Sequence, residues 1–178
     1  FKEMLPEMLS AAAFYELIHA SIELSNRVVE TAKANEVATE SVLRLSHALE
    51  ENGGNAENVG RIYSGFTQKI EAAVQGNATA QTSFAKLGVT LNDLRHLSEQ
   101  DLFEKTVKGL ANMKDAAERN GLAFQTLGKS IRGVDIKGLA NTLHETKGEF
   151  DKYAESVEQA HLLVEKMQKS WHEFTLEF

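Results

Sequence analysis

Residues 150–178 read FDKYAESVEQAHLLVEKMQKSWHEFTLEF, and this stretch decides the fold class. Phe150, Tyr153, Val157, Ala160, Val164, Met167, Trp171, Phe174 and Phe178 recur at alternating three- and four-residue steps. Side chains at that spacing share one face of an α-helix and make an a/d seam of the coiled-coil kind. Asp151, Lys152, Glu155, Glu158, Glu165, Lys166 and Lys169 fall away from the seam, while Ala154, Ser156 and Ser170 beside it are small. Such a seam either meets another copy of the chain or packs against another part of it.

The same period runs back toward the N-terminus. Met4, Met8, Ala11, Tyr15, Ile18, Ile22, Val29 and Ala32 keep helical steps, and Phe14, Leu17, Leu24 and Val28 widen that stripe. A stripe this wide needs cover on more than one side. Between the two long segments, Gly and Asn punctuate shorter ones. Thr39 is placed to cap a helix carrying Val42, Leu45 and Leu49, which stops at Asn52-Gly53-Gly54. Asn55 then opens a helix through Val59, Ile62, Phe66, Ile70 and Ala73, closed by Gly76-Asn77. Leu91, Leu94 and Leu97 line one side of a short piece, and Ser98 with Asp101 resembles a capping box. Residues 128–138, with glycines at 128, 133 and 138, read as a loop. Strand signals are scarce: β-branched and aromatic residues do not alternate. The expectation is an all-α, multi-helix bundle in three stretches. These are an amphipathic helix over 1–35, a helical unit over 36–133 and a coiled-coil-like helix over 134–178.

Composition agrees. Hydrophobic residues are 42% and charged residues 25% of 178, which fits a chain with a packed core. No apolar run approaches the roughly 18 residues of a membrane span. Cysteine is absent, which removes disulfides and thiolate chemistry. Lys+Arg 19 against Asp+Glu 26 leaves −7, a poor balance for gripping nucleic-acid phosphates, so no specific nucleic-acid binding is expected.

Two stretches tempt a chemical reading. Ala123-Phe-Gln-Thr-Leu-Gly128-Lys129-Ser130 fits a relaxed phosphate-loop pattern, but a working loop follows a strand and uses small residues to wrap the phosphate. Here a helical pattern precedes it, and Phe124 and Leu127 are core-like. His144-Glu145 begins like a zinc-protease helix, yet Gly148 stands where the second imidazole is needed. The remaining histidines are scattered, some one turn from an acid, as His161 is from Glu165. Asn77-Ala-Thr79 has the form of a glycosylation acceptor and is most simply a helix cap. No catalytic, cofactor or metal residues are assigned, and the chain is not expected to be an enzyme.

From about Val28 to Ser130 the order of features resembles the recurring helical region of phage tail tape measure proteins. Two helices fall either side of a Gly/Asn break, at Ser41–Ala48 and Asn55–Val74, and the linker Gly76-Asn77-Ala78 follows. Next comes a Phe-x-x-Leu-Gly-Val-x-x-x-Asp-Leu motif, present as Phe84, Leu87, Gly88, Val89, Asp93 and Leu94. A Leu-Ser-x-x-Asp-Leu-Phe helix start is present as Leu97, Ser98, Asp101, Leu102 and Phe103. Arg119 and the turn Leu127-Gly128-Lys129-Ser130 close the unit.

The resemblance implies a structural role, with these motif residues serving helix packing. Tape measure proteins occupy the lumen of the growing tail tube and set its length. Implied locations are the virion tail lumen and, during assembly, the host cytoplasm; implied partners are the tail tube protein, tail assembly chaperones and tail tip proteins. A homo-oligomer through the 150–178 seam is expected, a trimer or another number compatible with a ring. The alternative is a cytosolic or secreted helical adaptor or effector domain that presents a groove to a partner.

Overall fold

A computed structural model describes the backbone of residues 11–176 and the side-chain environments of residues 22–169. The described residues are all-α, with no strand among them. In chain order the helices are α1 (Ala11–Ala34), α2 (Thr39–Glu51), α3 (Val59–Val74), α4 (Ala78–Lys86), α5 (Leu91–His96), α6 (Glu99–Ala111), α7 (Ala116–Leu127), α8 (Ile136–Glu145) and α9 (Asp151–Leu176). Short 3-10 turns at Ala56–Asn58 and Lys129–Ile131 lead into α3 and out of α7.

Side-chain caps set most of the helix starts. The Oδ1 atoms of Asn55, Asn77 and Asp115 accept from the backbone N–H groups of Glu57, Ala80 and Glu118 at 2.7, 2.9 and 2.7 Å. Each bond satisfies a donor that the helix itself leaves unpaired. The complete capping box belongs to Thr90, whose hydroxyl accepts from Asp93 N–H while Asp93 accepts from Thr90 N–H at 2.7 Å. At Ser98 only half of the expected box forms. Its hydroxyl accepts from Asp101 N–H at 3.1 Å and donates to the Asp101 carboxylate at 2.6 Å. Thr39 does not cap α2: Ala38 occupies that position, and the Thr39 hydroxyl donates to Glu158 Oε1 at 2.5 Å. The threonine side chain serves a long-range contact instead of a local one.

Helix ends follow the Gly/Asn breaks. Gly53, Gly76, Gly88 and Gly128 all have positive φ, between 76° and 98°, the left-handed geometry that residues with a Cβ resist. Residues 128–138 are only partly a loop, because α8 begins at Ile136 with Gly138 inside it. A Cβ at Gly138 would come within 2.9 Å of Asn52 Cγ and 3.0 Å of Asp135 Oδ2. This glycine therefore admits the Asn52 side chain to the helix surface rather than breaking the helix. Asn52 is held there by donating to Ala48 O at 2.7 Å and Thr142 Oγ1 at 3.0 Å.

One continuous core draws on all three sequence stretches. It runs from Val28 and Ala32 of α1 through Leu45, Leu49, Ile62, Phe66, Phe84, Phe103, Leu110 and Leu127 to Leu139 and Leu143 of α8. α3 sits at its centre. Phe66 meets Phe84 and Phe103 edge-to-face, with ring centroids 6.0 and 5.4 Å apart, and Tyr63 lies 5.1 Å from Phe103. Those offsets suit the ring quadrupoles and add to the area each ring buries. α8 packs on α2 and α6, and α9 lies along α1 with a smaller contact to α2.

Candidate interaction site

α9 uses two rows of side chains where a single seam was expected. The row that faces the body is Phe150, Ala154, Val157 and His161, stepping four, three and four. Phe150 and Val157 are half-buried, and Ala154 and His161 are buried. The Phe150 ring lies 5.5 Å from the His47 ring and 6.0 Å from that of Tyr153. Of the expected seam, Ala160 and Val164 are half-buried, whereas Tyr153 is 65% and Met167 70% exposed. Leu163 beside them is 61% exposed. Trp171 and Phe174 lie outside the residues whose side chains are described. This row faces two neighbours: His161 meets Asn26 and Lys33 of α1, while Phe150 and Glu158, on either side of Ala154, meet His47 and Thr39 of α2.

The contact between α1 and α9 is partly polar. His161 Nδ1 pairs with Asn26 Oδ1 at 2.8 Å, and its Nε2 lies 3.3 Å from Lys33 Nζ and 3.4 Å from Glu165 Oε1. Glu158 receives the Thr39 bond one turn earlier. Beside these groups a groove of about 380 Å³ is lined by Val29, Ala32, Val37 and Leu162, with Lys33 and Glu36 at its rim.

The motif block at 84–103 is given to packing and capping. Phe84, Leu87, Leu94, Leu102 and Phe103 are buried. Asp93, Ser98 and Asp101 make caps, and Gly88 and Gly128 close helices. Leu97 departs from the packing expectation: it is an exposed C-cap residue, because α5 ends there in extended backbone. Lys105 donates to Asp93 at 2.7 Å. That bond, with those from Thr90, holds the Asp93 carboxyl down at about 2.

A buried charge cluster joins α2 to α6. Arg44 has a side chain 4% exposed, donates to Glu40 at 3.0 Å and pairs closely with Glu104. Lys147 stands 3.8 Å from the same Glu104. Burial alone would lower the Arg44 pKa, but the Glu104 hydrogen bond and the Glu40 charge outweigh it, and the net shift is upward. Arg44 Nε is left without a partner. Burial acts the other way on the neighbouring Tyr63 phenol, whose charged form is the deprotonated one, and raises it well above its ordinary value. The Glu40-to-Arg44 spacing is visible in the sequence, but nothing local announces Glu104, sixty residues on.

Glu99 at the start of α6 is half-buried and accepts from the Thr67 hydroxyl. Desolvation raises its pKa, and the charges of Glu36 and Glu71 push the same way. A raised carboxyl pKa means that the charged form costs stability at neutral pH. The cost is absent below the ordinary carboxylate range and grows as pH rises through the folded value. Glu99→Gln is therefore expected to raise stability at pH 7 by about 0.5 kcal/mol or less, since the site is partly open to water. The gain should vanish near pH 3, as urea titrations at the two pH values would show.

The phosphate-loop pattern lands where no phosphate loop can form. Gly128 ends a helix, Lys129–Ile131 is one 3-10 turn, and Ala123 and Leu127 are buried, so the strand–loop–helix setting is missing. Next to it a cleft of about 420 Å³ is lined by Phe124, Ile131, Val134 and Ile136, with Asn120 and Asp135 at its edge. The Arg132 guanidinium lies 5.5 Å above the Phe124 ring, a cation–π arrangement. Asn77 caps α4, as its position suggested. Among the described residues no group of three or more His, Asp or Glu could hold a metal ion, and no helix is long and apolar enough to cross a membrane. Compared with protein-family models, curated proteins and solved structures, the chain matches none.

Proposed function

We propose that the chain is a structural segment of a bacteriophage or prophage tail tape measure protein, which sets tail tube length during assembly and fills the tail lumen before genome ejection. The supporting observation is the 84–103 block. All of its motif residues except Leu97 serve helix caps, turns or the aromatic core around Phe66. A block given over to holding helices at fixed spacing suits a scaffold that works by packing. Helical structure also ties residue count to distance, at about 1.5 Å per residue along each axis. On this reading the partners are the tail tube protein, the assembly chaperones and the tail tip proteins. The surplus of seven negative charges would discourage DNA from sticking as it passes.

In-frame removal of the codons for these 178 residues tests the proposal, with tails measured by electron microscopy. Tails should shorten by up to about 270 Å, the length of one continuous rod at the helical rise, and by less if the bundle persists in the lumen. Tails of unchanged length overturn the reading, as does a gene whose loss affects no tail.

The second reading, a cytosolic or secreted helical adaptor or effector domain, draws on the exposed Tyr153, Leu163 and Met167 of α9. It predicts no effect of the deletion on any tail.

A further inference from the structure

We propose that α9 exchanges between two copies of the chain: the turn at 146–150 straightens, α8 and α9 join into one helix, and each α9 lies on α1 and α2 of the other copy. The exchange goes beyond the tail reading and does not depend on it.

The sequence reads 134–178 as one helix, and the structure breaks that helix at residues 146–150. The break leaves no mark on the helical phase. On α8 and in the turn the buried row is Leu139, Leu143 and Thr146, at steps of four and three. The row of α9 that faces the body starts four residues on, at Phe150, and runs to His161. Along an unbroken helix, at about 100° per residue, these seven side chains fall within about 80° of one another. A helix that merely folds back after a turn has no need to share the phase of the helix before it. One face of one straight helix thus serves both contacts, the α8 part on its own body and the α9 part on a surface like that of α1 and α2.

The ends at the turn agree. α4 to α8 each start on an Asn, Thr, Ser or Asp whose side chain caps the helix. α9 starts after Phe150, a side chain with no acceptor to offer. Of the five turn residues only Gly148 has a left-handed φ, at 79°, and Thr146 N–H still bonds Thr142 O at 3.0 Å, as within a helix. None of the five is proline. The closed chain itself shows what the α1 and α2 surface accepts. When α9 leaves, it uncovers Asn26, Thr39 and His47, the partners of His161, Glu158 and Phe150. An α9 from a second copy restores each of those contacts, so the two states differ mainly at the turn. A short turn held by one left-handed residue invites such exchange.

Gly148→Ala tests the hinge. Its new Cβ has only Asp151 Oδ2 near it, at 3.7 Å, so the variant should fold. Alanine resists φ 79° in the closed turn and favours the continuous helix, by about tenfold at each of two hinges. The dimerisation constant from sedimentation equilibrium should therefore rise about a hundredfold. Two glycines inserted after Gly148 relax the turn and interrupt the long helix, and should leave a monomer. The native chain has no cysteine, so exchange can be read by cross-linking. Lys33 of α1 and Glu165 of α9 both reach His161 Nε2, at 3.3 and 3.4 Å. With Lys33→Cys and Glu165→Cys added to Gly148→Ala, a short bis-maleimide should join two chains. In the glycine-inserted chain the same pair should be joined within one chain. Amide hydrogen exchange at residues 147–150 should slow in the dimer as they enter a helix. A Gly148→Ala chain that stays monomeric at the highest soluble concentration, a dimer cross-linked within each chain, or a dimer that survives the insertion overturns the proposal.

Discussion

Gly109→Ala is expected to lower stability by about 2–3 kcal/mol, although alanine is the better helix former by nearly 1 kcal/mol. Gly109 lies inside α6, facing the end of α4. A Cβ there would sit 2.9 Å from Leu87 Cβ and 3.0 Å from the Leu87 carbonyl carbon, with the carbonyl oxygen nearer still. That carbonyl cannot retreat cheaply. Leu87 N–H bonds Phe84 O at 3.0 Å, Gly88 turns the chain at φ 76°, and Val89 N–H returns to the same Phe84 O at 3.0 Å. Leu87 and Val89 are both buried on either side of the turn. The clash is thus with backbone fixed by three hydrogen-bonded residues, not with the free end of a side chain. Gly121, inside α7 and exposed, has nothing within 4 Å of its would-be Cβ. Gly121→Ala should therefore stabilise by roughly 0.5–1 kcal/mol. Urea unfolding midpoints at constant slope give both values. Two gains of equal size would mean that α4 and α6 do not approach as closely in solution.

That pair of glycines also marks the limit of what the sequence reveals. Both sit in helical patterns, and nothing local tells the one pressed on a neighbour from the one in solvent. Local signals are legible: the periodicity of apolar residues, the Asn and Asp caps, and the glycines at 53, 76, 88 and 128 that end helices by backbone geometry alone. What escapes depends on a partner distant in sequence. Gly138 looks like a breaker until Asn52 is seen against it. Thr39 looks like a cap until Glu158 takes its hydroxyl. The apolar positions of α9 read as one seam because periodicity counts residues without knowing where α1 and α2 lie. Once α1 and α2 are placed, Ala154 and His161 turn inward, and Tyr153 and Met167 are left outside.

Arg44 carries the second large effect. Arg44→Met is expected to cost about 3–5 kcal/mol at pH 7, the range for removing one partner from a buried ion pair. The guanidinium ties α2 to α6 by bonding Glu40 on its own helix and Glu104 on the other. Without it, two carboxylates that are 13% and 29% exposed lose their shared cation, and among the described residues Lys147, 3.8 Å from Glu104, is the one that remains beside them. Below the ordinary carboxylate range both acids are neutral and nothing is stranded, so the loss should be small at low pH and full at pH 7. Adding Glu104→Gln to Arg44→Met removes one of the stranded charges and should recover a large part of the loss, with a weaker dependence on pH. The two single variants and the double variant form a cycle whose coupling should exceed about 1 kcal/mol, as expected of groups in direct contact. Additive effects, or an Arg44→Met loss that stays constant from pH 4 to 8, would mean that the residue contributes packing volume and little charge. The cluster would then not fix how α2 sits on α6.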